Sequence, residues 1–315
     1  MIDVLIIGAG PAGLSAGIYA ARAGLSTVLL EELSAGGQLA SIDSLENYPG
    51  FPQGINGFDA ALALRAQAEH FGARIVSDKA TGIQVGAVGS PEPSAGSVAP
   101  FTVKGTQGSY EARSVVVATG AKPVPLPVEG AEALVGKGVS YCATCDGNFF
   151  RGKAVAVVGG GDSACADAVY LSRVASEVHL IHRRNELRAN PWYAQQLQQL
   201  PNLTMHWDSV VAGVSQTEGR LSGAVLENVR SHEQSSLPVE GLFVAIGTRP
   251  ETAWLEAVVG LDANGYIVAQ QGGATSQPGI FAAGDVRTTP LRQVVTAVAD
   301  GALAAESAAA FLSAQ

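Results

Sequence analysis

The sequence predicts an α/β protein made of two domains of related design, the second inserted into the first. A strand, a glycine-rich turn, a helix and a second strand follow one another at the N-terminus, and the same succession returns about 150 residues later. The runs 114–118 and 240–250 each end in a small-residue turn and a proline, which indicates crossings between domains. We therefore expect residues 1–118 and 247–315 to form one discontinuous domain, and residues 119–246 to form the inserted one.

The composition is that of a folded, acidic protein. Hydrophobic residues make up 47% of the 315 positions and charged residues 15%, and the net charge is −9. These values argue against disorder and against a nucleic-acid partner, since phosphate binding needs a basic surface. No run approaches the roughly 18 uninterrupted apolar residues of a membrane span, so we expect no membrane partner. Three cysteines and an N-terminus without a basic segment predict a reducing, cytoplasmic location.

The N-terminal unit has the pattern of a dinucleotide-binding, Rossmann-like βαβ motif. Gly8, Gly10 and Gly13 lie between an apolar strand and a helix. The first glycine permits a tight turn, the second lets a pyrophosphate approach the backbone, and the third lets helix and strand pack closely. The next strand ends in Glu31 and Glu32, and Glu31 is placed to accept hydrogen bonds from a ribose diol. The first domain is therefore predicted to bind a nucleotide with a free ribose.

A second glycine turn differs from the first in the charge that follows it. Gly159, Gly161 and Ala164 lie between a strand and a helix, and the next strand leads into basic residues where the first unit has acids. These residues are Arg183, Arg184 and Arg188. A guanidinium cluster binds a ribose phosphate through charge-assisted hydrogen bonds, whereas an acid would repel it. This domain is therefore predicted to prefer NADP(H) to NAD(H).

The segment "CATCD" contains the candidate catalytic residues Cys142, Cys145 and Asp146. Two thiols at this spacing can form a disulfide that opens and closes, can be half of a zinc site, or can have no role. A structural zinc site needs about four ligands. The chain has no second cysteine pair and no histidine at metal-ligand spacing from Cys145, so we expect no metal. Asp146 can exchange a proton with a thiolate or can simply form a turn, and Cys165 is predicted to be a buried packing residue.

Eight segments together resemble one enzyme family. They are "GAGPAGLSAGIYAARAG" from residue 8, "GGQL" at 36–39, "ENYPGF" at 46–51, "CATCDG" at 142–147, "GGGDSA" at 159–164, "VHLIHRR" at 178–184, "GIFAAGDV" at 279–286 and "RQ" at 292–293. In this order they are similar to the low-molecular-weight, bacterial-type thioredoxin reductases, which are class II pyridine nucleotide-disulphide oxidoreductases. The resemblance covers nearly the whole chain. It implies NADPH-dependent reduction of thioredoxin through FAD and a redox-active disulfide, in a homodimer.

The resemblance also implies which residues contact each cofactor and what the cysteines do. The implied FAD-binding residues are Gly8, Gly10, Pro11, Ala12, Gly13, Glu31, Glu32, Gly37, Gln38, Asn47, Thr119, Gly120, Gly284, Asp285, Arg292 and Gln293. The implied NADPH-binding residues are Gly159, Gly161, Asp162, Ser163, Ala164, His182, Arg183, Arg184 and Arg188. In the family, Cys145 lies nearer the flavin, Cys142 attacks thioredoxin and Asp146 is the acid–base group. One domain rotates against the other between the two half-reactions.

Two alternative functions stay open at this point. One is a related flavoprotein disulfide reductase that serves another small redox protein or a small dithiol. The other is a nucleotide-binding redox sensor whose disulfide is not turned over. Asn148 stands where the family commonly has an aromatic residue, so the protein partner is open. The Gly/Pro/Ser-rich stretch 86–100 is predicted to be an exposed hairpin loop without chemistry, longer than the family leads us to expect.

Overall fold

The structure is a computed structural model that describes residues 1–42, 45, 47–86 and 101–315, without the side chain of Cys145. The helices are α1 (Pro11–Arg22), α2 (Gly57–His70), α3 (Ala143–Asp146), α4 (Asp162–Leu171), α5 (Pro191–Gln198) and α6 (Val294–Ser313). The strands are β1 (Ile2–Ile7), β2 (Thr27–Glu31), β3 (Arg74–Ser77), β4 (Ala80–Val85), β5 (Phe101–Gly105), β6 (Ser109–Val117), β7 (Lys122–Pro123), β8 (Val139–Ser140), β9 (Ala154–Val158), β10 (Glu177–Ile181), β11 (Leu203–His206), β12 (Ser209–Thr217), β13 (Arg220–Asn228), β14 (Gln234–Leu237), β15 (Gly241–Val244), β16 (Thr248–Arg249) and β17 (Ile280–Ala282). The predicted hairpin loop lies, apart from its first residue, outside the described part.

The chain forms two compact units. The first comprises Met1–Lys122 and Arg249–Gln315, and the second comprises Pro123–Thr248. The first unit thus extends to Lys122 rather than to residue 118, and it resumes at Arg249 rather than at residue 247. Each boundary falls inside a two-residue strand, β7 or β16, because the chain stays extended where it passes from one unit to the other.

The first unit is built on a largely parallel sheet in the order β3-β2-β1-β6-β5-β4, with β17 also paired to β6. The strands β3, β2, β1, β6 and β17 are parallel, whereas β4 and β5 pair antiparallel. The central strands are near-continuous apolar runs; Val4, Leu5 and Ile6 of β1 are fully buried. This composition is typical of parallel strands that are covered on both faces.

The C-terminal helix α6 packs directly against α1. Both helices are rich in small residues, which lets their backbones approach closely. A Cβ on Gly301 would overlap the carbonyl oxygen of Ala12, and the Ser15 hydroxyl donates to the Val298 carbonyl oxygen at 2.7 Å. Of the helices in the described residues, α6 is the one long and apolar enough to cross a membrane. Its buried alanines belong to the hydrophobic core around α1, which accounts for its apolar composition.

The second unit repeats the design on a smaller scale. Its five-stranded sheet has the order β11-β10-β9-β15-β8, and every neighbouring pair is parallel. The helix α4 follows β9, and α5 lies between β10 and β11. A three-stranded antiparallel sheet, β12-β13-β14, is added between β11 and β15. The repeat that the sequence indicates is therefore present as two parallel sheets, each with a glycine turn after a central strand.

Candidate active site

The predicted FAD-binding residues of the first unit lie along one edge of its sheet. The strands β2, β1, β6 and β17 are parallel neighbours, so their carboxyl ends lie side by side. Glu31 ends β2, and Gly8 follows β1. Thr119 and Gly120 come just after β6, and Gly284 lies just after β17. Ligands of open α/β sheets bind outside this edge, so the strand topology brings residues far apart in sequence to one site.

The glycine turn between β1 and α1 leaves no room for side chains. Gly8 has a φ of +100°, and a Cβ there would lie 2.5 Å from the Ala118 carbonyl oxygen. A Cβ on Gly13 would overlap the carbonyl oxygen of Gly8, so helix and turn are in direct contact. Gly10 faces open space, and no side chain caps α1, which begins at Pro11. The backbone N–H groups of this first turn are therefore left for an anionic ligand.

We expect the change Gly13→Ala to disrupt this turn. The added methyl group overlaps backbone, which cannot move as a flexible side chain can, so stability should fall by about 1–3 kcal/mol and FAD retention should fall with it. Gly108→Ala is the matched control, because a Cβ at Gly108 meets nothing within 4 Å. Urea unfolding and flavin content measure both effects. Equal behaviour of the two variants would contradict the tight packing assigned to the turn.

The two acids at the end of β2 have different partners. Glu31 accepts hydrogen bonds from the N–H of Ala9, at 2.8 Å, and from the N–H of Leu33, at 3.0 Å. Its carboxylate is thereby fixed against the glycine turn, with lone pairs left for a ribose diol. Glu32 forms an exposed ion pair with Lys79, with 3.0 Å between Oε1 and Nζ. The geometry therefore favours Glu31 over Glu32 as the nucleotide ligand.

The "GGQL" segment folds back onto both turns of the first unit. A Cβ on Gly37 would lie 3.2 Å from the Cα of Gly10. Gln38 donates from Nε2 to the Ala121 carbonyl oxygen at 2.6 Å, directly beyond Gly120. Gly37 thus lies on the first glycine turn, and Gln38 lies on the turn that follows β6.

The residues just before α6 are those that the resemblance assigns to the flavin end. The Gln293 side-chain oxygen accepts from Asn47 Nδ2 at 2.8 Å. Arg292 stacks on Tyr266, with its Cζ 4.1 Å from the ring centroid. The Nε of Arg292 is buried, and within the described residues it has no hydrogen-bond partner. Because an unpaired buried donor is costly, this guanidinium marks a position open to an acceptor.

Gly284 and Asp285 form a short helical turn after β17. Gly284 has a φ of +74°, and a Cβ there would lie 2.8 Å from the Cβ of Ala12 in the glycine motif. Burial raises the pKa of Asp285 above its usual value; Arg292 opposes this shift and the Asp300 carboxylate adds to it. Asp285 therefore lies in a partly buried, charged cluster beside the first turn of α1.

The second glycine turn, between β9 and α4, is as closely packed as the first. Gly159 has a φ of +148°, and a Cβ there would lie 2.7 Å from the Cβ of Ala164. A Cβ on Gly160 would overlap the imidazole of His182. Gly161 faces open space, and no side chain caps α4. The second unit therefore offers a second set of free N–H groups at the carboxyl edge of a parallel sheet.

The predicted phosphate-binding arginines follow β10 at the same edge. Arg183, Arg184 and Arg188 are exposed, and no ion pair among the described residues includes any of them. The Arg188 N–H donates to the Gly160 carbonyl oxygen at 2.7 Å, which ties the basic loop to the glycine turn. Asp162 is engaged as an acceptor for the Asn190 N–H at 2.7 Å. Ser163 is exposed in the first turn of α4.

His182 is buried between the glycine turn and the basic loop. Burial lowers the pKa of this imidazole below its ordinary 6.5; the Glu186 backbone partly offsets this, and the three arginines lower it further. The folded state therefore keeps His182 neutral at pH values where the unfolded chain is already protonated, so its contribution to stability is lost as the pH falls below about 6.5.

We expect His182→Gln to flatten the pH dependence of unfolding. Between about pH 7 and pH 5 the free energy of unfolding should fall less steeply than in the wild type, because one proton-binding difference between the unfolded and folded states is removed. Urea unfolding at several pH values measures this, and an unchanged slope in His182→Gln would contradict the lowered pKa.

The cysteine loop follows β8 in the second unit. Cys142 is disulfide-bonded, and its N–H donates to Ser140 Oγ at 3.0 Å. The Asp146 N–H donates to the Cys142 carbonyl oxygen at 3.2 Å, which places the acid one helical turn after the cysteine. The predicted pairing with Cys145 falls on a side chain outside the described part. Phe149, shortly after the motif, is 75% exposed.

Cys165 behaves as the sequence predicts. It is a free, fully buried cysteine in the core of the second unit, and burial raises its pKa to about 11. A thiol in this state is a poor nucleophile.

The sequence did not indicate Arg287, Asp300 or Tyr266, which contact the Gly284–Arg292 segment. A single acid in an otherwise apolar part of an alanine-rich helix was the available signal for Asp300.

These two units define a dinucleotide-binding redox protein. Each has a glycine turn at the carboxyl edge of a parallel sheet, and the second also contains a disulfide-bonded cysteine. The family model for pyridine nucleotide-disulphide oxidoreductases matches residues 2–301. The chain belongs to this family.

Relatives and solved structures refine this assignment. The chain is 43% identical over 310 residues to the thioredoxin reductase of Treponema pallidum, covering 98% of this chain and 97% of the relative. It is 41% identical over 315 residues to the thioredoxin reductase of Streptomyces coelicolor, covering 99% and 94%. The crystal structure of Lactococcus lactis thioredoxin reductase in its FR conformation superposes with a TM-score of 0.90 at 35% identity, covering 99% of each chain. The resemblance and the fold class predicted from the sequence are confirmed, and the thioredoxin reductases use FAD and NADPH.

Proposed function

We propose that this protein reduces the disulfide of thioredoxin with electrons from NADPH, through FAD and the Cys142–Cys145 pair. The observation that supports this most is the pairing of two different nucleotide sites with a disulfide-bonded Cys142. One glycine turn is followed by an acid that accepts hydrogen bonds, and the other is followed by exposed arginines. Such an arrangement suits two dinucleotides that differ in their ribose phosphate.

The hydrogen-bonding groups of the first unit fit FAD. The uncapped first turn of α1 suits a pyrophosphate, and Glu31 suits the adenosine ribose. The buried, unpaired Nε of Arg292 is a donor for an acceptor on the cofactor. Gln38, Asn47, Asp285 and Gln293 complete the proposed set.

The second unit fits NADPH for a related reason. The uncapped first turn of α4 suits the pyrophosphate. Arg183, Arg184 and Arg188 present guanidinium groups that no described acid neutralises, and a ribose phosphate supplies the missing negative charge. This charge pattern favours NADPH over ferredoxin as the electron donor.

The proposed chemistry of the cysteines follows from thiol–disulfide exchange. When bound, FAD supplies the two-electron chemistry that links a reduced nicotinamide to a disulfide. Two electrons and two protons convert the Cys142–Cys145 disulfide to two thiols. The Cys142 thiolate then attacks the disulfide of the partner, a mixed disulfide forms, and the partner's other sulfur leaves. Cys145 displaces the partner as a dithiol and restores the internal disulfide.

Asp146 is proposed to carry protons in this cycle. Its backbone N–H bonds to Cys142, which keeps the acid within one helical turn of the attacking sulfur. A carboxyl group there can take the proton from a thiol and return it to a leaving thiolate.

The exposed Phe149 gives the partner an apolar surface beside the reactive loop. Rotation of one unit against the other is part of the proposal.

A panel of acceptors tests thioredoxin against the alternatives. Oxidation of NADPH is followed with a bacterial thioredoxin, a glutaredoxin or a small dithiol in its disulfide form as the acceptor. We expect the ratio kcat/KM to be highest for thioredoxin. Preference for another acceptor would support a related disulfide reductase, and no turnover with any acceptor would support a sensor.

The assembly and the location remain part of the proposal. The homodimer comes from the family resemblance alone, and the cytoplasmic location comes from the use of cysteine. The buried, free Cys165 fits a reducing compartment, where thiols persist. Size-exclusion chromatography with light scattering measures the assembly directly.

A further inference from the structure

We propose that Asp300 is a positioning residue for the flavin site, acting together with Arg287. The inference rests on the proposed function, because it concerns the FAD that the first unit would hold. Neither residue belongs to the glycine motifs, and neither was assigned from the sequence. Asp300 lies in the second turn of α6, and Arg287 follows the turn that contains Gly284 and Asp285.

The carboxylate of Asp300 connects helix α6 to the turn at Gly284 and to the side chain of Arg287. Its Oδ2 accepts from the N–H of Gly284 at 3.2 Å, and its Oδ1 accepts from Arg287 Nη1 at 3.2 Å. The side chains of Asp300 and Arg287 are only 17% and 15% exposed. Arg287 also donates from Nη2 to the Gln270 carbonyl oxygen at 3.4 Å, and its own carbonyl oxygen accepts from Arg292 at 3.5 Å.

These contacts tie α6 to a loop whose backbone is otherwise paired with Ile267. Gly284 has a positive φ and lies against Ala12 of the first glycine motif. The helix α6 is itself fixed to α1, since Gly301 lies against the Ala12 carbonyl group. Asp300 is the neighbour of Gly301, so one helix sets the distance between the two loops proposed to hold FAD. Loss of the carboxylate leaves Arg287 largely buried without its counter-charge, which favours a displaced loop.

The chain offers a matched control for Asp300. Asp3, in β1 of the same unit, accepts from the Ser26 N–H at 2.9 Å and from Arg113 Nη1 at 3.0 Å. It therefore has the same pair of partners, one backbone N–H and one arginine. It lies at the opposite end of β1 from the glycine turn. Changes at Asp3 and Asp300 remove the same two kinds of bond, in a more exposed pair at Asp3, and only Asp300 borders the proposed flavin site.

The experiment compares Asp300→Asn with Asp3→Asn in the full-length protein saturated with FAD. After dilution, released flavin is followed by its fluorescence, and urea unfolding is measured in excess FAD. We expect Asp300→Asn to weaken FAD binding roughly tenfold or more, the effect of losing a charge-assisted bond, and to alter the absorption envelope of the flavin still bound. Asp3→Asn should release FAD as the wild type does, although it also loses a hydrogen-bonded ion pair.

A second pair of variants separates positioning from folding. Arg287→Lys keeps a cation for Asp300 and should retain FAD better than Arg287→Gln. Equal FAD release from Asp300→Asn and the wild type would overturn the inference, as would a loss matched by Asp3→Asn. A wild-type protein that binds no FAD would instead contradict the proposed function. The two failures are therefore distinguishable.

Discussion

Replacement of Cys142 by serine is expected to abolish thioredoxin reduction while leaving reduction of the bound flavin by NADPH intact. Attack on a partner disulfide requires a thiolate, and a serine hydroxyl does not ionise near neutral pH. Loss of a covalent nucleophile commonly costs several orders of magnitude, so turnover should fall by at least about a thousandfold. The measurements are NADPH oxidation with thioredoxin, and bleaching of the flavin under anaerobic conditions with NADPH alone.

Cys165→Ala is the control for this change. It also removes one thiol, but that thiol is buried in the core of the second unit and held protonated. Turnover of the control should stay close to that of the wild type. Full turnover in Cys142→Ser would show that Cys142 is not the attacking residue. Loss of flavin bleaching in the same variant would indicate damage to the nucleotide sites instead.

The double change Arg183→Gln and Arg184→Gln is expected to weaken NADPH far more than NADH. The two coenzymes differ in one ribose phosphate, and both arginines are exposed after β10 without ion pairs among the described residues. Each charge-assisted contact contributes about 1.5–3 kcal/mol, so the loss of both should lower the preference for NADPH by a factor of roughly a hundred or more. The ratio of kcat/KM for the two coenzymes measures this preference.

Arg173→Gln with Arg220→Gln provides the same change in net charge elsewhere in the second unit. Both control arginines are exposed, and Arg173 lies beyond the carboxyl end of α4, away from Gly161. This control should keep the wild-type coenzyme preference. Equal losses for NADPH and NADH in the first double variant would mean that these arginines do not recognise the phosphate.

The nucleotide turns were predictable because each is encoded locally. Strand, glycine turn, helix and the charged end of the next strand fall within about 30 residues, and these features alone indicated Glu31 and the basic loop after β10. The close contacts at Gly13 and at Gly160 explain why small residues occupy those turns.

The remaining contacts were not predictable because they join distant segments. Asn47 meets Gln293, and Asp300 meets Gly284 and Arg287, only after α6 has packed on the first unit. No local pattern encodes such a bond. Glu32 was predicted as a cofactor contact together with the adjacent Glu31. In the structure its carboxylate pairs with Lys79 instead. Glu32 lies just beyond the end of β2, so the strand pattern did not determine its partner.

The most direct test of the proposed function is an anaerobic titration with NADPH followed by oxidised thioredoxin. The purified protein should be yellow, and NADPH should bleach it. Added thioredoxin should restore the colour and appear as the dithiol, in proportion to the NADPH consumed. A colourless protein that takes up no FAD, or a bleached one that leaves thioredoxin oxidised, would contradict electron transfer from NADPH through FAD to thioredoxin.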